Sequence, residues 1–167
     1  MDIISHGLWG GVTFGRKNKR NFFLAFLFGI LPDMFSFGIL WIANILGLSQ
    51  RPDWSQGTPA ESLIPDYVHY LYNATHSLVV FLAVFALMWL IFKKPFWLMG
   101  AWGLHILIDI PSHSLAFFAT PFLWPLSNYR FDGISWGNPT IFFPNLILLA
   151  SAYLFWFIYR KKNKINT

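Results

Sequence analysis

Six ionisable residues lie inside apolar stretches of this 167-residue chain: His6, Asp33, His76, His105, Asp109 and His113. A charged side chain at the centre of a bilayer costs at least about 2.5–3.5 kcal/mol on insertion scales, so each of them requires a partner or a task. Imidazole nitrogen and carboxylate oxygen together suit zinc, with manganese or iron as alternatives. Four histidines and two aspartates supply donors for one divalent ion or two. The chain has no cysteine, which excludes disulfides and thiolate sites and leaves metal binding to His, Asp and Glu. A catalytic site of this kind keeps a coordination position for water, whose pKa the metal lowers toward ~7. Metal-activated water is the simplest chemistry these residues permit, and no side chain is singled out as the catalytic base.

The spacing of the six places constraints on the elements that carry them. His105, Asp109 and His113 follow an i, i+4, i+8 pattern and share one helical face. Pro111 is expected to bend that helix and free backbone carbonyls, and Pro32 plays the same part beside Asp33. Ser5, Thr75 and Ser77 flank the candidate ligands and could orient the imidazoles. His69, seven residues before His76, reads as an interfacial residue.

Four stretches, 22–48, 70–92, 95–118 and 139–159, are long and apolar enough to cross a ~30 Å hydrocarbon core, which takes about 20 helical residues. Residues 1–15 are apolar but too short to span, so they are expected to form a short helix that is re-entrant or partly inserted. Gly7, Gly10 and Gly11 would let it pack closely. At ~1.5 Å per residue from the nearest base, His6 lies about 15 Å deep, Asp33 about 20 Å and His105 about 17 Å. Asp109 comes out at about 23 Å, His76 at about 26 Å and His113 at about 29 Å. Four segments thus bring their polar residues to one slab, from mid-membrane to the outer side. The expected fold is all-α: a single integral-membrane domain over 1–167 with four transmembrane helices and the short N-terminal helix.

Composition agrees with a multi-pass chain. It is 56% hydrophobic and 11% charged, against ~25% charged in a soluble domain. The +5 net charge would otherwise prompt a search for nucleic acid. Yet the bases concentrate in three clusters at span ends: Arg16, Lys17, Lys19 and Arg20; Lys93 and Lys94; Arg160, Lys161, Lys162 and Lys164. The positive-inside rule puts all three in the cytoplasm, with the protein in the cytoplasmic (inner) membrane and no nucleic-acid partner expected. The opposite face then carries loops 49–69 and 119–138, which hold Arg51 and Arg130 beside Asp53, Glu61, Asp66 and Asp132. Trp54, Tyr67, Trp124, Tyr129 and Trp136 in these loops are expected to anchor at the headgroup level.

The sequence resembles the YdjM-like family of bacterial membrane-bound metal-dependent hydrolases, itself similar at a distance to zinc-dependent phospholipase C. The pieces that carry the resemblance are Met1-Asp2-Ile3-Ile4-Ser5-His6-Gly7-Leu8, Gly29-Ile30-Leu31-Pro32-Asp33, Thr75-His76-Ser77-Leu78 and His105-Ile106-Leu107-Ile108-Asp109. A last piece runs from Pro121-Phe122-Leu123-Trp124-Pro125-Leu126-Ser127 toward Arg130 and Phe131. The resemblance implies a hydrolase with His6, Asp33, His76, His105 and Asp109 as metal ligands, to which His113 is added. One departure stands out: many relatives have a His-Arg pair before the Thr-His-Ser element, where this chain reads Leu71-Tyr72-Asn73-Ala74. Arg130 is the candidate substitute for binding substrate.

The expectation is therefore a membrane-embedded metal-dependent hydrolase that uses activated water on a lipid-like or amphiphilic ester or phosphoester drawn from the bilayer. Two alternatives from other classes are a metal-ion or proton-coupled transporter, and a non-catalytic membrane protein stapled by a structural metal.

Overall fold

The computed structural model describes residues 1–49, 53, 55 and 58–165; Arg51, Trp54 and the side chain of Lys164 lie outside the described residues. Helix α1 (Ile3–Phe14) starts where Asp2 Oδ1 accepts from Ser5 N at 2.9 Å, and α2 (Lys19–Asp33) starts where Asn18 does the same for Asn21 N. Pro32, without an N–H, withdraws one rung from the helix ladder. A π turn over Met34–Gly38 follows at once and leads into α3 (Ile39–Ile45). Ser36 Oγ bonds the Pro32 carbonyl at 3.1 Å, so the loosened turn is satisfied from within.

The next two helices are α4 (Asp66–Thr75) and α5 (Leu78–Phe92), bent by 58° at the break between them. Thr75 Oγ1 bonds the Leu71 carbonyl at 2.8 Å and the Pro32 carbonyl at 3.2 Å, ending α4 against α2. Ser77 then caps α5 by accepting from Val80 N at 3.2 Å. The chain returns through α6 (Gly100–Ser112) and, after a long irregular segment, runs out along α7 (Pro139–Ile165). Among the described residues the only ladder is an isolated bridge between Ser114 and Phe117, so the protein is all-helical.

Two helical stretches are long and apolar enough to cross a membrane, Lys19–Ile45 and Pro139–Lys162, each with mean hydropathy 2.0; the bent α4–α5 pair makes a third if counted as one span. The segment expected to cross over 95–118 is helical only from Gly100 to Ser112, with a 3-10 turn over Trp97–Met99 before it. Thirteen residues rise about 20 Å, short of a ~30 Å core. The reason is at its end. The carbonyls of Pro111, Ser112 and His113 accept from Ile134 N, Trp136 N and Gly133 N at 2.9–3.0 Å, and His113 leaves in an extended conformation. The loop that carries Gly133, Ile134 and Trp136 thereby takes the place of a further helical turn.

Helix α1 packs closely on α2: Gly7 and Gly11 receive the rings of Phe26 and Phe22, and at Gly10 and Gly29 the two backbones themselves approach. A Cβ on Gly29 would stand 2.5 Å from the His6 carbonyl, and one on Gly10 would stand 2.6 Å from the Ala25 carbonyl. The short helix does enter the bundle, with the close glycine packing expected of it. A small apolar core of Leu40, Ile64, Val68, Tyr72 and Phe118 packs over α3 and α4, with Phe37 and Phe117 against it. Helix α7 buries only 11% of its most apolar window, and Phe155, Phe157 and Ile158 project from it. An all-round apolar, outward-facing helix is stable only where the surroundings are apolar too. At its far end Phe22 stacks on Trp156 at 5.8 Å and Arg160 lies over the same indole, so the basic clusters at 16–20 and 160–162 share one end of the bundle.

Candidate metal centre

Each helix that enters the bundle delivers its polar residue to the same place. Asp33 comes from the last turn of α2, His76 from the α4–α5 break, and His105 and Asp109 from successive turns of α6. One donor atom from each of the four lies within 4.8 Å of all the others, and all four residues are buried. His76 Nε2 stands 3.0 Å from His105 Nε2, 3.3 Å from Asp33 Oδ1 and 3.7 Å from Asp109 Oδ2. His105 Nε2 is 3.8 Å from Asp33 Oδ1 and 3.1 Å from Asp109 Oδ2. Donors bound at about 2.0–2.1 Å around a tetrahedral zinc stand roughly 3.3 Å apart, so these five separations match the edges of a tetrahedral site.

The far sides of the imidazoles show which nitrogen faces the centre. His105 Nδ1 is 2.7 Å from the Gly29 carbonyl and His76 Nδ1 is 3.1 Å from the Tyr72 carbonyl. A carbonyl only accepts, so each Nδ1 carries the proton, and the ring in its neutral form presents its Nε2 lone pair inward. Two lone pairs and two carboxylates then face one another, all acceptors. Asp109 Oδ2 is buried and receives no hydrogen bond. Such a set is satisfied by a cation. The Asp33, His76, His105 and Asp109 group could hold a metal ion, and its donor chemistry fits a divalent one.

His6 and His113 join on the other oxygen of Asp109. His6 Nε2 lies 2.9 Å and His113 Nε2 3.4 Å from Asp109 Oδ1, which also accepts from the Met1 amino group and from Ser112 Oγ at 3.4 Å. His6 stacks on His105 at 3.6 Å, and its Nδ1 is buried without a partner. His113 Nδ1 bonds the Phe118 carbonyl at 3.0 Å and sits 3.2 Å from the Tyr72 hydroxyl. All six expected residues therefore meet, four in the compact group and two across the shared carboxylate. Thr75 Oγ1 touches His76 Nδ1 at 3.0 Å, as an orienting residue should. Ser77 bonds the Trp124 carbonyl and caps α5, so it fixes the break and leaves the imidazole to others. Ser5 is held by Asn145 Nδ2 at 3.0 Å, away from the ligands. His69 stacks on Phe118 at 4.8 Å, apart from the centre. Arg130 donates to Asn73 Oδ1 at 3.2 Å.

Tyr72 and Asn145 are site residues that the sequence reading missed. Tyr72 is buried, stacks on His76 at 3.8 Å and donates to the Phe118 carbonyl at 2.7 Å, clamping the ligand ring from outside. Asn145 of α7 accepts from Trp9 Nε1 at 2.8 Å while holding Ser5, which fixes the turn of α1 that bears His6. A polar amide inside an apolar span was its available signal; Tyr72 offered none.

A cleft of about 560 Å³ opens beside the centre, with Asp33 and His113 in its wall. Its size is in the range of small-molecule sites, about 300–1,000 Å³. Comparison of the chain with protein-family models, with curated proteins and with solved structures found no match.

Proposed function

We propose that this chain is a multi-pass membrane hydrolase that depends on a divalent metal, zinc first, with manganese or iron as alternatives. The observation that carries the reading is the pairing of four inward-facing acceptors with a cleft that reaches one of them, Asp33. A metal placed only to staple helices would be closed off on every side. Asp33, His76, His105 and Asp109 would hold the ion, and His6, His113 and Asp109 Oδ1 would serve a second one. A bound divalent ion supplies Lewis acidity and lowers the pKa of water toward ~7. The chain's own residues fix the imidazoles through the Gly29, Tyr72 and Phe118 carbonyls and bury His6, His76, His105 and Asp109.

The substrate class is a lipid-like or amphiphilic ester or phosphoester entering from the bilayer. Hydrolysis joins the oxygen of water to the acyl carbon or phosphorus, breaks the ester bond, and sends one proton out with the alcohol. The resemblance to the YdjM-like hydrolases supports the same class. For topology we infer four crossings in the cytoplasmic membrane: Lys19–Ile45, the bent α4–α5 pair, α6 with its extended continuation to 118, and α7. Irregular backbone at that depth is tolerated where protein covers it. The basic clusters would face the cytoplasm.

The test is elemental analysis of the detergent-purified protein together with turnover of an ester and phosphoester panel, before and after chelation. Bound metal with chelator-sensitive hydrolysis is the expected result. Metal flux into proteoliposomes without hydrolysis would establish the transporter instead, and metal that only raises the melting temperature would establish the structural role.

A further inference from the structure

Where the basic clusters at 16–20 and 160–162 come together, a second cleft of about 240 Å³ opens between α2 and α7. Asn18, Lys19 and Phe22 line it on one side, Trp156 and Arg160 on the other. It lies at the opposite end of α2 from Asp33, roughly 20 Å along the helix from the candidate metal centre. Every polar side chain in its wall offers donors. Lys19 and Arg160 carry N–H groups alone, and Asn18 spends its side-chain oxygen on Asn21 N at 2.8 Å, which leaves its amide NH2. All seven acidic residues of the chain lie outside the stretches 16–20 and 160–164. Neither Lys19 nor Arg160 makes an ion pair or a side-chain hydrogen bond with another described residue. Arg160 Cζ lies 5.4 Å from the centroid of the Trp156 ring, and that indole stacks on Phe22 at 5.8 Å. Such a seat holds a guanidinium in place without giving its N–H groups an acceptor. An anion with several acceptor oxygens completes the set.

The position of the cleft along the helices indicates where that anion comes from. Lys19 opens one apolar stretch long enough to cross a membrane, Lys19–Ile45, and Arg160 stands near the end of the other, Pro139–Lys162. The cleft is therefore at the boundary of both, the level of lipid phosphates. Phe23, Phe155 and Tyr159 are exposed on adjoining turns and offer an apolar surface to acyl chains. A volume of about 240 Å³ falls below the ~300–1,000 Å³ of sites that enclose a whole small molecule, and it suits a headgroup whose chains stay outside.

We infer that this cleft binds the phosphate of an anionic membrane lipid, held by Lys19, Arg160 and Asn18, with the lipid's chains along α2 and α7. Basic pockets between membrane helices are a recurrent seat for such headgroups. A zwitterionic headgroup brings its own cation to a wall that already holds two, and like charges in contact are unfavourable. The lipid also joins α2 to α7, a helix that buries little of itself against the bundle. The site needs only that these two helices lie in a membrane, and it is independent of any reaction at the metal centre.

The test titrates the delipidated protein in a non-ionic detergent with phosphatidylglycerol, with phosphatidylcholine of the same chains, and with inorganic phosphate, reading Kd by thermophoresis. Phosphatidylglycerol should bind at least about tenfold more tightly than phosphatidylcholine. Lys19→Gln with Arg160→Gln should lower its affinity about tenfold. Lys93→Gln with Lys94→Gln, which removes the same charge from the turn after α5, should leave that affinity within about twofold. Trp156→Leu removes no charge and should weaken phosphatidylglycerol binding several-fold by unseating Arg160. Equal affinity for the two lipids overturns the inference, and so does an equal loss in both double variants, the mark of diffuse attraction. Inorganic phosphate that binds as tightly as phosphatidylglycerol overturns the membrane source.

Discussion

At the scale of residues, the centre is organised by which groups are left as acceptors. His105 and His76 spend their Nδ1 protons on the Gly29 and Tyr72 carbonyls, so the affinity for an ion held there would depend on backbone atoms as well as on side chains. His105→Ala should remove the ion from the four-donor site, read as loss of one metal equivalent by elemental analysis. His113→Ala should keep that equivalent, because His113 stands on the other carboxylate oxygen of Asp109. Removing the imidazole nearest the shared carboxylate, as in His6→Ala, should lower affinity by about 10–100-fold, read by competition with a chelator of known affinity. The buried group of Asp33, His76, His105 and Asp109 was legible in the sequence because ionisable residues in apolar stretches are costly, and their depths along the chain agreed. The anchoring carbonyls were not, since every residue has one and only tertiary packing chooses among them. Tyr72 was hidden for a similar reason: in sequence it is one aromatic among many.

At the scale of elements, α1 is held in place by contact too close for substitution. Gly29→Ala would push a methyl group to about 2.5 Å from the His6 carbonyl. Overpacking of that kind costs typically about 1–3 kcal/mol, and here it should also reduce metal content because His6 moves with its helix. Thermal unfolding and elemental analysis of the same sample check both. Asn145→Leu removes the bonds to Trp9 and Ser5, and interhelical hydrogen bonds in membranes average roughly 0.6 kcal/mol each. The expected effect is a small loss of stability, with α7 still packed through Tyr153 to the Leu8 carbonyl. The glycine cluster in α1 announced the close packing. The shortness of α6 was not announced, because its apolar run continues to Phe118 while the last carbonyls are claimed by a loop twenty or more residues later.

At the scale of the whole molecule, the absence of cysteine makes the parent chain a ready background for mapping topology. Single cysteines at Lys94 and at Ser135 should label from opposite faces of sealed vesicles with a membrane-impermeant maleimide, Lys94 from the cytoplasmic side. Labelling of both from one side would overturn the proposed crossings. The bend between α4 and α5 carries a consequence of its own. His76 sits at its vertex, so the angle between the two helices and the position of one ligand are a single variable. When bilayer thickness departs from a helix's apolar length, tilt and kinks absorb the mismatch. The joint between α4 and α5 offers such a kink, so reconstitution in lipids of shorter or longer chain length should alter the metal dissociation rate. The acyl-chain length of the host membrane would then tune the centre through the angle of a single joint.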